Sequence, residues 1–579
     1  LVNQTNLNEP VRAEAESCVS RASDALTGVT LSRPIYDRLA AIPAGGLDEQ
    51  SRFTLDKTLT NFRLSGVDRD PATRDKVAAL QKEITDIGLK FDANIRDDKG
   101  NLALKPSELE GVPQDWLDAH KPKDDGLVHI TRDYPDVFPL LDFAKSRETR
   151  RKVSIFFRNR GYPANEPVLQ LLLQKRYELA KLLGYPNYAA YTTVDKMIGT
   201  PERAAAFIEE MKAASDSATE ADKAELLSVA KGIDPSIERL ESWDNSYFSN
   251  LLRKQKYNVD SAEVRQYFTY DKARAGIFAM MRDLFGADIR PWKTEVWAPD
   301  VTAWELYDQG KLIGRFYLDM HPRQGKYGHA AAFFVRTGVA GQQVPTSALV
   351  TNFPATGPMD HGDVETFLHE FGHLIHQLYS GRVTYASQAM FNLQWDFIEA
   401  PSQLLEEWIW DYDTLKSFAS NAKGAPIPAA LVERMNAGRK FGEAIGTRGQ
   451  LAYAAVSLGY YNRAPGFDLK QVFDSEVSKY SPFPVVPEAH QYAGFDHLNG
   501  YSAVYYTYVW SKAIALDLFT RFKEAGIRNP EVAMKYRTLV LEPGGSKDAN
   551  KLIEEFLGRP LSLAAYKERL QQGHTVGAD

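Results

Sequence analysis

Cysteine is almost absent. The single Cys18 among 579 residues excludes any disulfide within the chain and any cysteine-based metal site. On a helix face with small neighbours it reads as packing. Long apolar runs are missing too. The stretch Ser502–Trp510 is short and full of tyrosine, whereas a membrane-spanning helix needs ~18 apolar residues. Charge of one sign is also lacking: 69 Lys and Arg against 76 Asp and Glu give a net charge of −7. That mild acidity argues against nucleic acid as a partner, and no membrane partner is expected. No internal repeat, glycine–serine linker or low-complexity tract is present. No basic-plus-apolar leader is visible, and the first residue is Leu1 rather than methionine, so cytoplasm and periplasm both stay open.

What remains is ordinary globular composition, with 44% hydrophobic and 25% charged residues. Its length suits one large enzyme of two lobes or about four small domains. The first 200 residues read as helix after helix. Val11–Leu26 and Asp70–Arg96 carry apolar residues at helical spacing, the second through Leu80, Ile84, Ile87 and Leu89. A further helix is expected to open near Asn165 as its cap, with Pro167 in the first turn. The charged segment Pro201–Ala230 reads as a solvated helix. Between Pro291 and Phe353 the pattern changes to four short runs, Thr302–Tyr307, Leu312–Tyr317, Ala331–Val335 and Ser347–Phe353. Glycines punctuate them, which predicts a small, mostly antiparallel sheet. Helices resume at Asp363. The class is mainly α with one small sheet.

The chemistry concentrates in Asp363-Val-Glu-Thr-Phe-Leu-His369-Glu370-Phe-Gly-His373-Leu-Ile-His376. Chance supplies an HExxH pattern in a chain like this on the order of 0.01 times. Residues i and i+4 share a helix face, so His369 and His373 can reach one tetrahedral ion. Glu370, one step round the helix, can reach a water on that ion. His376 lies about 10 Å along the axis from His369 at ~1.5 Å per residue, too far to join them, which leaves it a supporting or packing role. The position six residues beyond His373 is Tyr379, so a third ligand must come from elsewhere. The acidic stretch from Trp395 to Trp408, expected to be helical, offers Asp396, Glu399, Glu406 and Glu407. Spacing alone does not choose among them. Glu399 is flanked by apolar residues, where an unpaired carboxylate is costly and a metal partner would account for it. Tyr501, Tyr505 and Tyr508 fall at i, i+4 and i+7, a spacing that usually marks core. A phenol, however, can also donate to a developing oxyanion. Pro543-Gly-Gly-Ser-Lys547 lacks the order of a phosphate loop and reads as a turn before a helix cap.

Taken together, His369-Glu-Phe-Gly-His373 and Asp396-Phe-Ile-Glu399-Ala-Pro-Ser-Gln resemble the thimet oligopeptidase family of zinc metallopeptidases. Three further segments agree: Asp319-Met-His-Pro-Arg-Gln-Gly-Lys-Tyr-Gly-His-Ala, Phe495-Asp-His497-Leu-Asn-Gly-Tyr501 running on to Trp510, and Pro543–Asn550. The spacing from His497 to Tyr501 is similar to the mitochondrial intermediate peptidase branch. The Gly325–Ala330 segment is similar to the oligopeptidase branch.

The resemblance implies two helical lobes around a deep substrate channel, with the small sheet beside the zinc-binding helix. It further implies one Zn2+ per chain on His369, His373 and Glu399, with Glu370 as general base. His497 and Tyr508 would be catalytic groups at the oxyanion, and Tyr501 and Tyr505 substrate contacts. The expected organisation is a single peptidase unit, its helical first part covering about residues 1–200 and its catalytic part about 201–579. Short peptides are the expected substrates and a monomer the expected state. Two alternatives stand beside this: a dipeptidyl carboxypeptidase on the same chemistry, and a catalytically silent peptide-binding protein.

Overall fold

Helices dominate the first two hundred residues and pack on one another, although the first long one buries none of its residues. The computed structural model describes residues 1–571. Helix α1, Glu9–Thr30, opens on Asn8, and α2, Pro71–Asp97, opens on Asp70, each cap accepting from a backbone N–H three residues on. Both caps satisfy N–H groups that the first turn leaves unpaired. α1 lies along α2, and α2 packs against α3, Asn165–Leu182.

Asn165 is not the cap of α3; Ala164 precedes the helix. The Asn165 amide is fully buried and donates to the carbonyls of Phe91 and Ala493 at 3.0 and 2.9 Å. Its oxygen accepts from Asn94 at 2.8 Å. A buried amide with partners on neighbouring elements gains more from them than from its own helix end. Helix α4, Pro201–Ile233, is solvated on one face only. Phe207, Ile208, Met211 and Leu226 are buried on the other, with Ala204, Ala218 and Ala230 among the small residues beside them.

The short strands β1, Leu102–Leu104, and β2, Val128–Ile130, pair antiparallel; three residues are too few for alternation to show in sequence. The main sheet has β3, Asp288–Pro291, β4, Thr302–Asp308, β5, Lys311–Asp319, β6, Ala331–Arg336, and β7, Thr346–Val350. Their order is β3-β4-β5-β7-β6. Only β5 and β7 run parallel; the other neighbours are antiparallel. All five residues of β7 are buried, as a strand covered on both faces requires. β6 forms one edge of the sheet and β3 the other.

Helix α5, His361–Tyr379, rests on this sheet through buried residues including Phe367, Phe371, Leu374 and Leu378. The chain continues through α6, Ala400–Leu405, α7, Glu443–Tyr461, and α8, Thr507–Ala525. Two large cores result. One gathers the sheet, α5 and α6; the other gathers α2, α3, α4 and α7. α8 serves both, giving Ile514, Ala515 and Leu518 to the first and Val509, Ala513 and Leu516 to the second. A cavity of about 310 Å³ is lined by Asp92 and Ile95 of α2, Ala331 and Phe333 of β6, and His497 and Tyr501. The mainly α class with one small, mostly antiparallel sheet agrees with the sequence. Among the described residues no helix is long and apolar enough to cross a membrane.

Candidate active site

His369 and His373 lie one turn apart on α5, their ring centroids 5.0 Å apart. The stretch expected to form one helix after Trp395 is instead three short pieces, Trp395–Phe397, Ala400–Leu405 and Glu406–Trp410. Pro401 explains the break before α6, since proline suits a first turn and not a helix interior. Glu399 thus occupies the cap position of α6 and turns its carboxylate toward α5. Gly372 permits the approach: a Cβ there would lie 2.5 Å from Ser402 Cα.

The Nε2 atoms of His369 and His373 are 3.1 and 3.0 Å from the same oxygen, Glu399 Oε2. One ligand atom from each of the three residues falls within 4.8 Å of the others. The second Glu399 oxygen accepts from the Tyr501 hydroxyl at 2.7 Å. Behind the pair, His369 Nδ1 is 2.8 Å from Glu406 Oε1, and Lys512 donates to Glu406 Oε2 at 2.7 Å. Glu406 thereby holds the proton-bearing side of the ring and leaves Nε2 facing Glu399. A doubly protonated His369 ring donates to both carboxylates; a neutral one, protonated at Nδ1, can instead turn its Nε2 lone pair on a cation shared with Glu399. Burial opposes charge on both residues. Even so, Glu399 and Glu406 hold the His369 imidazolium well above the usual histidine value, and the two histidines hold the Glu399 carboxyl well below its own. Two imidazoles and one carboxylate converging in this way are a donor set that could hold a metal ion.

Glu370 is buried beside them, and burial pushes its pKa above the usual carboxylate value; the Ala332 amide of β6 gives it one hydrogen bond. His497 Nε2 is 3.1 Å from the Tyr508 hydroxyl, and its Nδ1 is 2.7 Å from Asp496. The three tyrosines do not share a helix as their spacing suggests. Ser502, at φ 50°, turns the chain, and α8 starts only at Thr507. The turn still brings the rings together, with centroids 4.9 to 6.5 Å apart. Tyr501 points to Glu399, while Tyr505 is buried and donates to Gln450 at 3.0 Å.

The remaining candidates lie elsewhere. Asp396 accepts from the Met197 and Ile198 amides and from Tyr506. Glu407 pairs with Arg439 and Arg569. His376 is fully buried, with neither ring nitrogen hydrogen-bonded. Sequence reasoning missed Glu406 as the partner of His369, as well as Lys512 and Asp496. The first two lie 106 residues apart, so no local spacing links them.

Residues 140–572 match the model of Peptidase family M3. A thimet-like oligopeptidase of Dictyostelium discoideum is 30% identical over 90% of this chain and 81% of its own. Oligopeptidase A of Salmonella typhimurium is 27% identical over 97% and 88%. Among solved structures, PZ peptidase A with an inhibitor superposes with a TM-score of 0.63 over 99% of this chain and 88% of its own. At 14% identity that likeness speaks for the fold alone.

Proposed function

This chain belongs to peptidase family M3, and on that premise we propose that it is a zinc-dependent peptidase hydrolysing short, unstructured peptides. The observation that carries the metal is the convergence of His369, His373 and Glu399 within 4.8 Å. Bound there, zinc would polarise the scissile carbonyl and bring the pKa of water down to about 7.

The rest is the work of side chains. Glu370 takes a proton from the attacking water and returns it to the leaving amine. A carboxylate whose pKa is raised by burial suits both halves of that transfer. The Tyr508 hydroxyl and His497, already within hydrogen-bond distance of each other, donate to the oxygen that gains charge. β7, Thr346–Val350, does not offer a free edge, since it is paired on both sides. The edge beside the site is β6, which borders Glu370 and lines the cavity through Ala331 and Phe333. An extended peptide pairs with such an edge through its main chain, whatever its side chains.

Metal analysis and peptide hydrolysis with and without a chelator test this reading. About one zinc per chain is expected. Glu370→Gln should keep the metal and lose about 10²–10⁴-fold in turnover. His373→Ala should lose the metal; wild-type zinc content in that variant would refute the assignment.

A further inference from the structure

Arg160 stands in the wall of the cavity that His497 and Tyr501 also line. Its guanidinium lies over the rings of Tyr134 and Phe157, 5.8 and 5.5 Å from their centroids. One nitrogen is 3.4 Å from His329 Nε2. Burial pushes the His329 pKa down to about 4, so that ring is neutral and supplies no counter-charge. Other cations of this wall have carboxylate partners: Arg96 pairs with Glu16 and Asp97, and Lys99 with Asp133. Asp496 on the same wall feels the Arg160 charge but is bonded to His497 at 2.7 Å and faces His329 at 3.8 Å. Among the described residues no carboxylate lies within 4.0 Å of the Arg160 guanidinium.

A planar guanidinium fixed on aromatic faces and unpaired with any acid is prearranged for a carboxylate, which it can meet through two parallel hydrogen bonds. The cavity that holds it opens on the group proposed to act at the scissile bond. Resting on the peptidase reading above, we propose that Arg160 is a specificity residue that binds a carboxylate of the peptide substrate. Two parts of a peptide carry that chemistry, the free C-terminus and the side chain of an aspartate or glutamate.

Four peptides of one sequence separate them: C-terminal acid or amide, each with glutamate or glutamine at one internal position. Wild-type protein should favour the carboxylate-bearing member by about 10- to 100-fold in kcat/KM, the worth of a charged hydrogen-bonded contact. If the preference follows the terminus, Arg160 reads the chain end; if it follows glutamate, it reads an acidic side chain. Arg160→Met should bring the ratio close to one, and Arg160→Lys should restore part of it. Because each ratio is taken within one preparation, partial misfolding cancels. Equal rates on all four peptides with wild-type protein, or an unchanged ratio in Arg160→Met, would overturn the proposal. Binding of the same peptides, read by fluorescence anisotropy, distinguishes the two readings. A retained acid preference in binding without any hydrolysis defeats the peptidase reading and leaves the role of Arg160 standing. Binding without preference defeats Arg160.

Discussion

Tyr508 touches His497 and stacks on Tyr501, whose hydroxyl is spent on Glu399. If the Tyr508 hydroxyl serves the oxyanion, its bond exists mainly in the transition state. Tyr508→Phe should then lower kcat by roughly 10²–10³-fold with little change in KM or melting temperature. An unchanged kcat on a good peptide would remove the role.

His376 makes a different prediction, about pH. Its imidazole is fully buried without a hydrogen bond, and burial lowers its pKa to about 3. The unfolded chain therefore protonates this side chain first as the pH falls through the ordinary value near 6.5. Its contribution is intact above that value and is lost progressively toward pH 3. By pH 5 the loss amounts to about 2 kcal/mol. His376→Leu should abolish that share of the acid sensitivity, measured as the difference in urea stability between pH 7 and pH 5; equal losses in both proteins would contradict it. Such residue-scale features differ in legibility. His369, Glu370 and His373 declare themselves by spacing, and Glu399 by its apolar neighbours. Glu406 sits in an acidic pair that looks solvent-facing, because its cation, Lys512, arrives from a distant helix.

At the scale of elements, the contact between α5 and α6 decides the geometry of the three converging side chains. Gly372 is one of the two residues between Glu370 and His373, and its missing side chain lets the Ser402 backbone come close. Gly372→Ala should separate the helices, cost roughly 1–3 kcal/mol in stability and weaken zinc binding by about 10- to 100-fold. Gly446→Ala, on α7 with nothing within 4 Å of a built Cβ, is the control and should be neutral or stabilising. Equal behaviour of the two variants in thermal melts and metal competition would show that the close approach is unimportant.

Element order was readable where apolar residues recur over several turns, as in α2, and where four strand-like runs follow one another. Which strand lies at the edge was harder to see. Thr346-Ser-Ala-Leu-Val350 is uncharged and mostly small, which suits a strand covered on both faces, yet five such residues also fit a half-buried strand. The Trp395–Trp408 stretch looked continuous because its apolar content is helical in density. Proline and the cap position of Glu399 divide it.

For the whole molecule, the telling element is α8. It carries Tyr508 in its first turn and gives alternate faces to the two large cores. Neither core can lose its packing without stripping one side of the same helix, so the two should not melt separately. Calorimetry is expected to show one main transition coinciding with loss of activity, although chains of this length commonly unfold in stages. Two resolved transitions, with activity lost in the first, would contradict the coupling.

The edge strand β6 has a consequence beyond recognition. Unpaired strand edges are templates for self-association, and proteins usually blunt them with charges, prolines or bulges. On the proposed reading, in which β6 pairs with a peptide, it cannot be blocked in that way. From Ala331 to Val335 the strand carries no charge, and the first charged side chain is Arg336 at its end. Protection against fibre-like stacking then falls to the opposite wall of the cavity. Any lesion that opens the cavity without unfolding the sheet should let the protein aggregate through β6.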